Sequence, residues 1–320
     1  MEEVRSEKQR HSDFGIWVSH LFPNPEPQTP KPGPSCFWLL AFCFLLVASA
    51  LWAAEEPSRV EKIVDTTPNP RVSVTNLRGN VLVKGWDKSQ VHALCTKVSS
   101  KVEVDIEPTP PQGQAERVRF LTHTLDAEPN NNAETADYSL DVPLNSILDI
   151  RDSQGSVRVE KVQGDVHVST VSAPVSVLDA LGHLQVESVG GNIDIGHPSG
   201  RVEASSVNGD IRFTSPTSAE LRGHSTSGRI VYQGDFAPRG NYDLASYSGD
   251  VDVFCPSTAS FELITKGKGK VYSDFQMTPK QHQVSSKASY YTSFFGTYHE
   301  GKATLEVRSY NGVIHIRRQP

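Results

Sequence analysis

Four side chains that could do chemistry lie close together in the stretch VGGNIDIGHPSGRVEASSVNGDIRF, residues 189–213. They are Asp194, His197, Glu203 and Asp210. Paired carboxylates supply the acid and base of glycosidic chemistry, and carboxylates together with imidazole also bind metal ions. The stretch is interleaved with glycines as well, which suggests instead the outer side of a repeating structure. The elements that carry the four residues decide between these two hypotheses.

The glycines of this region recur at a fixed interval. Successive positions are nine or eighteen residues apart, and Ala173 fills the one vacant place. The glycines are Gly155, Gly164, Gly182, Gly191, Gly200 and Gly209, with a looser continuation through Gly228 and Gly249. The second and fourth residues after each glycine are usually apolar, as Ile193 and Ile195 are after Gly191, and the residues between them are mostly polar. This alternation predicts short strands with one buried face.

The unit that repeats is Gly-x-φ-x-φ-x-x-φ-x, where φ is an apolar residue. Glycine is expected at a sharp corner between strands, because a positive backbone φ angle strains any residue that has a Cβ atom. The third apolar position, seven residues after the glycine, is expected to fill the core beside the turn. Val162, Val171, Val189, Pro198, Val207 and Pro216 occupy it.

Repeat units of equal length, each beginning with a glycine at the same place, predict an all-β fold of the solenoid type. In a single-stranded β-solenoid, two strands and about eighteen residues form each coil, and stacked coils give two parallel sheets around a narrow apolar core. An antiparallel meander or sandwich would use the same alternation and stays as the alternative. We favour the solenoid because a corner glycine begins every unit in the same phase. The regular array is expected to cover residues 151–320, after an irregular β region at residues 58–150.

The N-terminal part of the chain predicts a membrane address. Residues 36–54 form an uncharged apolar run of 19 residues, close to the ~20 that a helix needs to cross a bilayer. Residues 1–35 are polar and proline-rich and are expected to be a disordered preamble. The length of that preamble favours an uncleaved anchor, but Ala48-Ser49-Ala50 resembles a signal-peptidase site, so a cleaved signal peptide and secretion stay as the alternative. The rest of the chain is expected outside the cytoplasm, at the cell membrane or cell surface.

An aromatic loop at residues 275–303 interrupts the array. Its aromatic side chains are Tyr290, Tyr291, Phe294, Phe295 and Tyr298. One interpretation is a cap that covers the open end of the solenoid. The other is an exposed binding loop for a glycan or a protein.

The repeat explains the charged residues without an active site. Polar positions of alternate units stack in columns, one of them His167, Gln185, Glu203, Arg222, Asp243 and Glu262. Opposite charges then become neighbours, as at Glu203 with Arg222, Arg222 with Asp243, and Arg201 with Glu220. Asp194 and Asp210 are poor catalytic candidates because they fall at different positions of the unit. The calcium-binding nonapeptide also has period nine, but Ile193 stands where it requires a glycine. We therefore predict no catalytic residue, no metal and no cofactor.

Net charge and cysteine content limit the partners and the disulfide bonds that can be expected. The formal net charge of -6 gives no electrostatic reason to expect a nucleic-acid partner. Cys36 and Cys43 fall in the apolar run, which leaves Cys95 and Cys255 in the exported part. These two could pair or stay as separate buried thiols, and their separation does not decide between the alternatives.

Several segments together resemble a known family. They are NLRGNVLVKGWDKSQV, YSLDVPLNSILDIRDSQGSVRV, the serial units of the VNGDIRF type and the closing SYNGVIHIRR. In this order they resemble the putative-adhesin family of β-strand repeat domains, over about residues 65–318. The resemblance implies a solenoid-like domain of unknown function from the bacterial cell envelope, with no known catalytic residues.

The sequence as a whole predicts a non-enzymatic, adhesin-like surface or scaffold module. Its expected partners are the membrane, through residues 36–54, and an envelope protein or surface glycan. One alternative is an envelope-stress or signalling accessory that binds another membrane protein, and the other is a carbohydrate-active β-helix enzyme.

Overall fold

Strands make up the regular structure throughout the described part of the chain. The computed structural model describes residues 58–125, 135–279 and 294–319, all within one compact unit, Glu55–Pro320. The first six strands are β1 (Ser58–Trp86), β2 (Gln90–Lys97), β3 (Val102–Thr109), β4 (Ala115–Thr124), β5 (Ala136–Pro143) and β6 (Ile147–Glu160). The next eight are β7 (Val166–Thr170), β8 (Val175–Leu178), β9 (Leu184–Ser188), β10 (Ile193–Gly196), β11 (Arg201–Ser206), β12 (Ile211–Thr214), β13 (Glu220–Ser225) and β14 (Ile230–Gln233). The last eight are β15 (Asn241–Ser246), β16 (Val251–Cys255), β17 (Phe261–Gly267), β18 (Val271–Ser273), β19 (Thr278–Pro279), β20 (Phe294–Tyr298), β21 (Ala303–Ser309) and β22 (Ile314–Arg318).

The predicted all-β class is confirmed for these residues, and so is the alternation of buried and exposed positions. The apolar pair of each unit lies in the core, where Ile193 is 0% and Ile195 is 1% exposed. The same holds at the far end of the array, where Ile314 is 1% and Ile316 is 0% exposed. Burial of one face of the short strands β7 to β15 thus follows from the period of two in their sequences.

Two parallel ladders organise the strands, because each short strand from β7 to β14 pairs with the strand two places along the chain. Ladder A consists, in spatial order, of β4, the first part of β1, the first part of β6, β7, β9, β11, β13, β15, β21 and β17. Ladder B consists of β5, the second part of β1, the second part of β6, β8, β10, β12, β14, β16, β22 and β18. We call one strand of ladder A and the following strand of ladder B a rung.

Strands β1 and β6 are long because each contributes to both ladders without a break. They bend where Gly79 pairs with Gly155, and both glycines have a positive φ, of 125° and 139°. A Cβ atom on Gly155 would also lie 1.8 Å from the carbonyl oxygen of Gly79. Glycine is therefore required at this bend for both its backbone angle and its lack of a side chain.

The two ends of the array differ from its middle. Near the N-terminal end the pairings of β1 with β2, β2 with β5 and β3 with β4 are antiparallel. At the other end, β21 lies between β15 and β17, and β22 lies between β16 and β18, so the last rung of the chain is inserted before the preceding one. Beyond β17, the last strand of ladder A, β20 pairs antiparallel with β17 and with β19. These antiparallel pairs form the end of ladder A.

The predicted preamble at residues 1–35 and the predicted anchor or signal peptide at residues 36–54 lie outside the described residues. Within the described part, no helix is long and apolar enough to span a membrane.

Candidate functional site

The corner glycines between ladder A and ladder B stack on one another. A Cβ atom on Gly209 would lie 2.1 Å from the carbonyl oxygen of Gly191, and one on Gly228 would lie 2.0 Å from that of Gly209. Neither glycine has a positive φ. The expected reason for glycine at these corners, a left-handed backbone, is therefore wrong there: close contact between successive rungs excludes a side chain.

A column of buried serines precedes these glycines. The hydroxyl of Ser206 accepts a hydrogen bond from the backbone N–H of Gly209 at 2.8 Å. The same bond recurs at 2.8–3.0 Å, donated by the backbone N–H of Gly191 to Ser188, of Gly228 to Ser225, of Gly249 to Ser246 and of Gly312 to Ser309. The sequence signal is Ser-x-x-Gly, which sequence reasoning missed. It fixes the corner, so that the residue directly after each serine has a constant position.

The residues directly after these serines, and after Thr170 at the equivalent place, form a strip along the corner. Hydrogen bonds such as Asn208 N–H to Val189 C=O (2.9 Å) and Asn311 N–H to Tyr247 C=O (2.9 Å) hold successive members side by side. We define the corner strip as Val171, Val189, Val207, Thr226, Tyr247 and Tyr310. Its members Val171, Val189, Val207 and Tyr247 are 54%, 48%, 43% and 55% exposed.

The strip corrects one sequence expectation. All residues seven after a glycine were expected to fill the core, and Val162, Pro198 and Pro216, near the other corner, are indeed buried. Val171, Val189 and Val207, which occupy the same place in alternate units, instead face outward. The unit is thus nine residues long in sequence, but only every second unit has the same surroundings.

The strip ends in a groove of about 510 Å³ on the outward side of ladder A. The rings of Tyr247 and Tyr310 form its wall, stacked with centroids 5.0 Å apart and planes 6° apart. Its floor is the row of paired residues His224, Ala245, Arg308 and Lys266. The short side chain of Ala245, between larger neighbours, leaves the hollow. We call this the tyrosine groove.

Ion pairs balance the charges around the groove. The Arg308 guanidinium donates to both carboxylate oxygens of Asp243 at 2.7 and 2.6 Å, and His224 Nε2 lies 3.3 Å from the same carboxylate. Lys266 Nζ lies 2.8 Å from Glu306 Oε1. The hydrogen bonds from His224 and Arg308 lower the pKa of Asp243, although burial opposes them as the largest single influence. The rim therefore offers donors and acceptors whose charges already have partners.

The four residues of the opening stretch do not form one constellation. Glu203 is on ladder A, 2.8 Å from Arg201 and 3.6 Å from Arg222, and Arg201 also lies 3.6 Å from Glu220, as the stacked columns predict. His197 Nδ1 lies 3.3 Å from Asp179 in a turn. The other two residues, Asp194 and Asp210, share a small hollow of about 110 Å³ with Arg212 and Arg229.

Each of those two carboxylates has a local partner. Asp194 Oδ1 lies 3.6 Å from Arg212, and Asp210 Oδ1 accepts the backbone N–H of Arg229 at 2.8 Å. The predicted column of stacked residues does not continue from Asp243 to Glu262. In the strand pairing, Asp243 lies beside Glu306, and Glu262 lies beside Thr304. The inserted C-terminal strand causes this shift.

Metal-binding groups and thiols contribute no further site in the described part of the chain. There, no group of three or more His, Cys, Asp or Glu side chains is arranged to hold a metal ion. Cys95 and Cys255 are free and buried, and burial raises the pKa of each thiol to about 12.

The aromatic loop is described in part. Tyr290 and Tyr291 lie outside the described residues, and Phe294 is 39% exposed. Tyr298 packs on Phe275 with ring centroids 4.7 Å apart, and its hydroxyl donates to the Ser257 carbonyl at 2.9 Å. Phe295 is partly buried in β20.

No family model matches the chain. No curated protein matches it either, so membership of the putative-adhesin family stays a prediction. Two solved structures are similar to it: a putative cell adhesion protein from Clostridium sporogenes ATCC 15579, at 11% identity and a TM-score of 0.25, and a putative adhesin from Bacteroides fragilis NCTC 9343, at 10% identity and a TM-score of 0.46. The similarity covers 82% of this chain in both cases, and 100% and 97% of the respective structures. Similarities at these scores carry no conclusion about activity.

Proposed function

We propose that the chain is a non-enzymatic, extracytoplasmic β-repeat scaffold that binds a partner at the cell envelope through the corner strip and the tyrosine groove. Ladders A and B are, in this proposal, the two sheets of a single-stranded β-solenoid, and each rung is one coil. The parallel pairing of every second strand supports it. The apolar run at residues 36–54 supports export, as an anchor or as a signal peptide.

One observation carries the binding role: apolar side chains are exposed in line along one corner, whereas many charged outward side chains of ladder A, such as Arg201, Arg222 and Arg308, are paired with carboxylates. Isolated exposed apolar residues are ordinary, but contiguous ones mark contact surfaces. The strip ends at stacked tyrosines, a residue type enriched at interaction sites. Paired carboxylates such as Glu203 with Arg222 support a structural role for the acids and a function without catalysis.

The test compares binding to isolated bacterial cell envelopes. The full-length protein, in a detergent without a sugar headgroup, is sedimented with envelopes from its host. The variant Tyr247→Ser/Tyr310→Ser is expected to lose most of the bound fraction while keeping its circular dichroism spectrum. Tyr272→Ser is the matched control, because Tyr272 is 53% exposed but lies on ladder B. Equal binding by all three proteins would contradict the proposal.

A further inference from the structure

The tyrosine stack is covered at one end and open at the other. The ammonium of Lys268, on the rung beyond Tyr310, lies 4.8 Å from the centroid of that ring. On the opposite side, the next strip residue after Tyr247 is Thr226, whose side chain is short and exposed. Among the described residues, no aromatic ring or cation other than Tyr310 lies over Tyr247. Tyr247 is 55% exposed, and within the described part of the chain its ring face toward Thr226 is open.

The space above that face has the size of one ring. Val207 is two rungs away from Tyr247, with Thr226 between them. Since neighbouring strands are about 4.8 Å apart, Tyr247 and Val207 are separated by roughly 10 Å along the strip. A flat group in van der Waals contact with Tyr247, at about 3.5–4 Å, fits into this interval. It would extend the existing stack of two rings by a third.

The rim beside this space suits hydroxyl groups. His224, Lys266 and Arg308 line it and offer donors, and the carboxylates of Asp243 and Glu306 are their ion-pair partners. A hydroxyl both donates and accepts, so it can bind beside such pairs without separating them. An anionic ligand gains less here, because Arg308 and Lys266 already face carboxylates at 2.6–2.8 Å. The chain's net charge of -6 further disfavours a polyanion.

We propose that the tyrosine groove binds a neutral sugar ring of a glycan, whose apolar C–H face stacks on Tyr247 above Thr226 while its hydroxyls bond to the groove-lining side chains of His224 and Arg308. This inference rests on the proposed function and names its ligand class. The exposed apolar strip continues from the gap toward Val207, Val189 and Val171. A glycan chain laid along it gains further contacts with each added unit, so longer oligosaccharides bind more tightly than the monosaccharide.

The experiment is calorimetric titration of the full-length protein, again in a detergent without a sugar headgroup. The probes are neutral oligosaccharides of glucose and of N-acetylglucosamine, one to six units long, and galacturonate oligomers of the same lengths. At least one neutral series is expected to bind, with affinity that rises with length. The galacturonate series is expected to bind at least tenfold more weakly. Tighter binding of galacturonate than of both neutral series would overturn the assignment.

Four variants locate the sugar. Tyr247→Ala is expected to weaken binding at least tenfold, whereas Tyr247→Phe keeps the ring face and stays within about threefold of the parent. Thr226→Trp leaves both tyrosines intact but fills the gap, so it is expected to abolish binding. The control Tyr272→Ala changes an equally exposed tyrosine on ladder B and is expected to have no effect. Unchanged affinity in Thr226→Trp, with the protein folded, would overturn the placement.

Failure of this inference differs from failure of the proposed function. If neither neutral series binds but envelope binding still depends on Tyr247 and Tyr310, the ligand class is wrong and the contact surface stands. If envelope binding is independent of both tyrosines, the contact surface itself is wrong.

Discussion

Asp152 lies directly beside Asn76 in the parallel pairing of β6 with β1, and both side chains are buried, at 3% and 2% exposure. They stand three residues before Gly155 and Gly79, at the place that Ser188, Ser206 and Ser225 take later in the array. An ionisable group thus occupies a position that elsewhere holds a neutral hydroxyl. Burial raises the pKa of Asp152 to about 7, and the nearby amide of Asn76 and backbone N–H of Ser153 offset only part of that effect.

This position predicts a stability that falls as pH rises. Below pH ~4 the carboxyl is protonated in both states, because its unfolded pKa is about 3.9. Between pH ~4 and 7 the unfolded state releases the proton and the folded state retains it, so the free energy of unfolding falls by about 1.4 kcal/mol per pH unit. Asp152→Asn is expected to raise the melting temperature at pH 8, by an amount equivalent to at most about 4 kcal/mol, and to change it little at pH 4.

Thermal unfolding of the full-length protein at both pH values measures this difference. Asp194→Asn is the control, because that carboxylate is exposed on ladder B and its ion pair with Arg212 contributes little. If Asp152→Asn raised the melting temperature by the same amount at pH 4 and pH 8, ionisation of Asp152 would be excluded as the cause.

The features of the fold that could be predicted from the sequence are those encoded by local patterns of residues. The period of two fixes which side of each strand is buried, and the period of nine fixes where strands end, so the cores of β10 and β12 follow from residues within one unit. The insertion of β21 and β22 before β17 and β18 depends on pairing between residues about sixty positions apart, and no local pattern encodes it.

The candidate site depends on the same nonlocal information. Tyr247 and Tyr310 stack only because β21 pairs directly with β15. The Ser-x-x-Gly signal around Ser246 and Ser309 was present in the sequence and would have aligned these two tyrosines. It was missed because the unit was counted from its glycine, which treats the two corners of each rung as equivalent.

The stacked corner glycines predict different costs for two adjacent residues. A Cβ atom on Gly191 would lie 2.0 Å from the carbonyl oxygen of Ala173, whereas one on Gly190 has its nearest contact at 3.6 Å, from Val171. Gly191→Ala is therefore expected to destabilise the protein by at least ~2 kcal/mol through backbone displacement, and Gly190→Ala by less than ~0.5 kcal/mol. Urea unfolding of both variants measures the difference. Equal midpoints would show that the rungs separate without cost.

Each serine of the column is expected to add a similar amount to the free energy of unfolding, smaller than the cost of a side chain at a corner glycine. In Ser206→Ala the buried N–H of Gly209 loses its acceptor, which costs about 1–3 kcal/mol. Ser205→Ala is the matched control, because the neighbouring Ser205 faces outward from ladder A. Urea unfolding is expected to separate the two variants, and hydrogen exchange is expected to show faster exchange of the Gly209 amide in Ser206→Ala alone. Slow exchange of that amide in both variants would mean that the hydroxyl does not hold the corner.

The role of the aromatic loop, as a cap or as a binding loop, can be assigned by comparing variants of two of its rings. Tyr298 packs on Phe275 and lies 5.7 Å from Phe261, and it closes the end of ladder A from β20. Phe294 starts the same strand but is 39% exposed. Truncating a packed aromatic ring removes its buried surface and leaves a cavity, so Tyr298→Ala is expected to cost about 3 kcal/mol and to lower the melting temperature by several degrees.

Phe294→Ser is expected to leave the melting temperature within about one degree of the parent, because an exposed ring contributes little packing. Envelope binding of the same two proteins separates the interpretations of the loop. A cap requires that Tyr298→Ala unfolds more easily while Phe294→Ser binds like the parent. If Phe294→Ser instead keeps its stability and loses envelope binding, the end of ladder A is itself a contact site, in addition to the tyrosine groove.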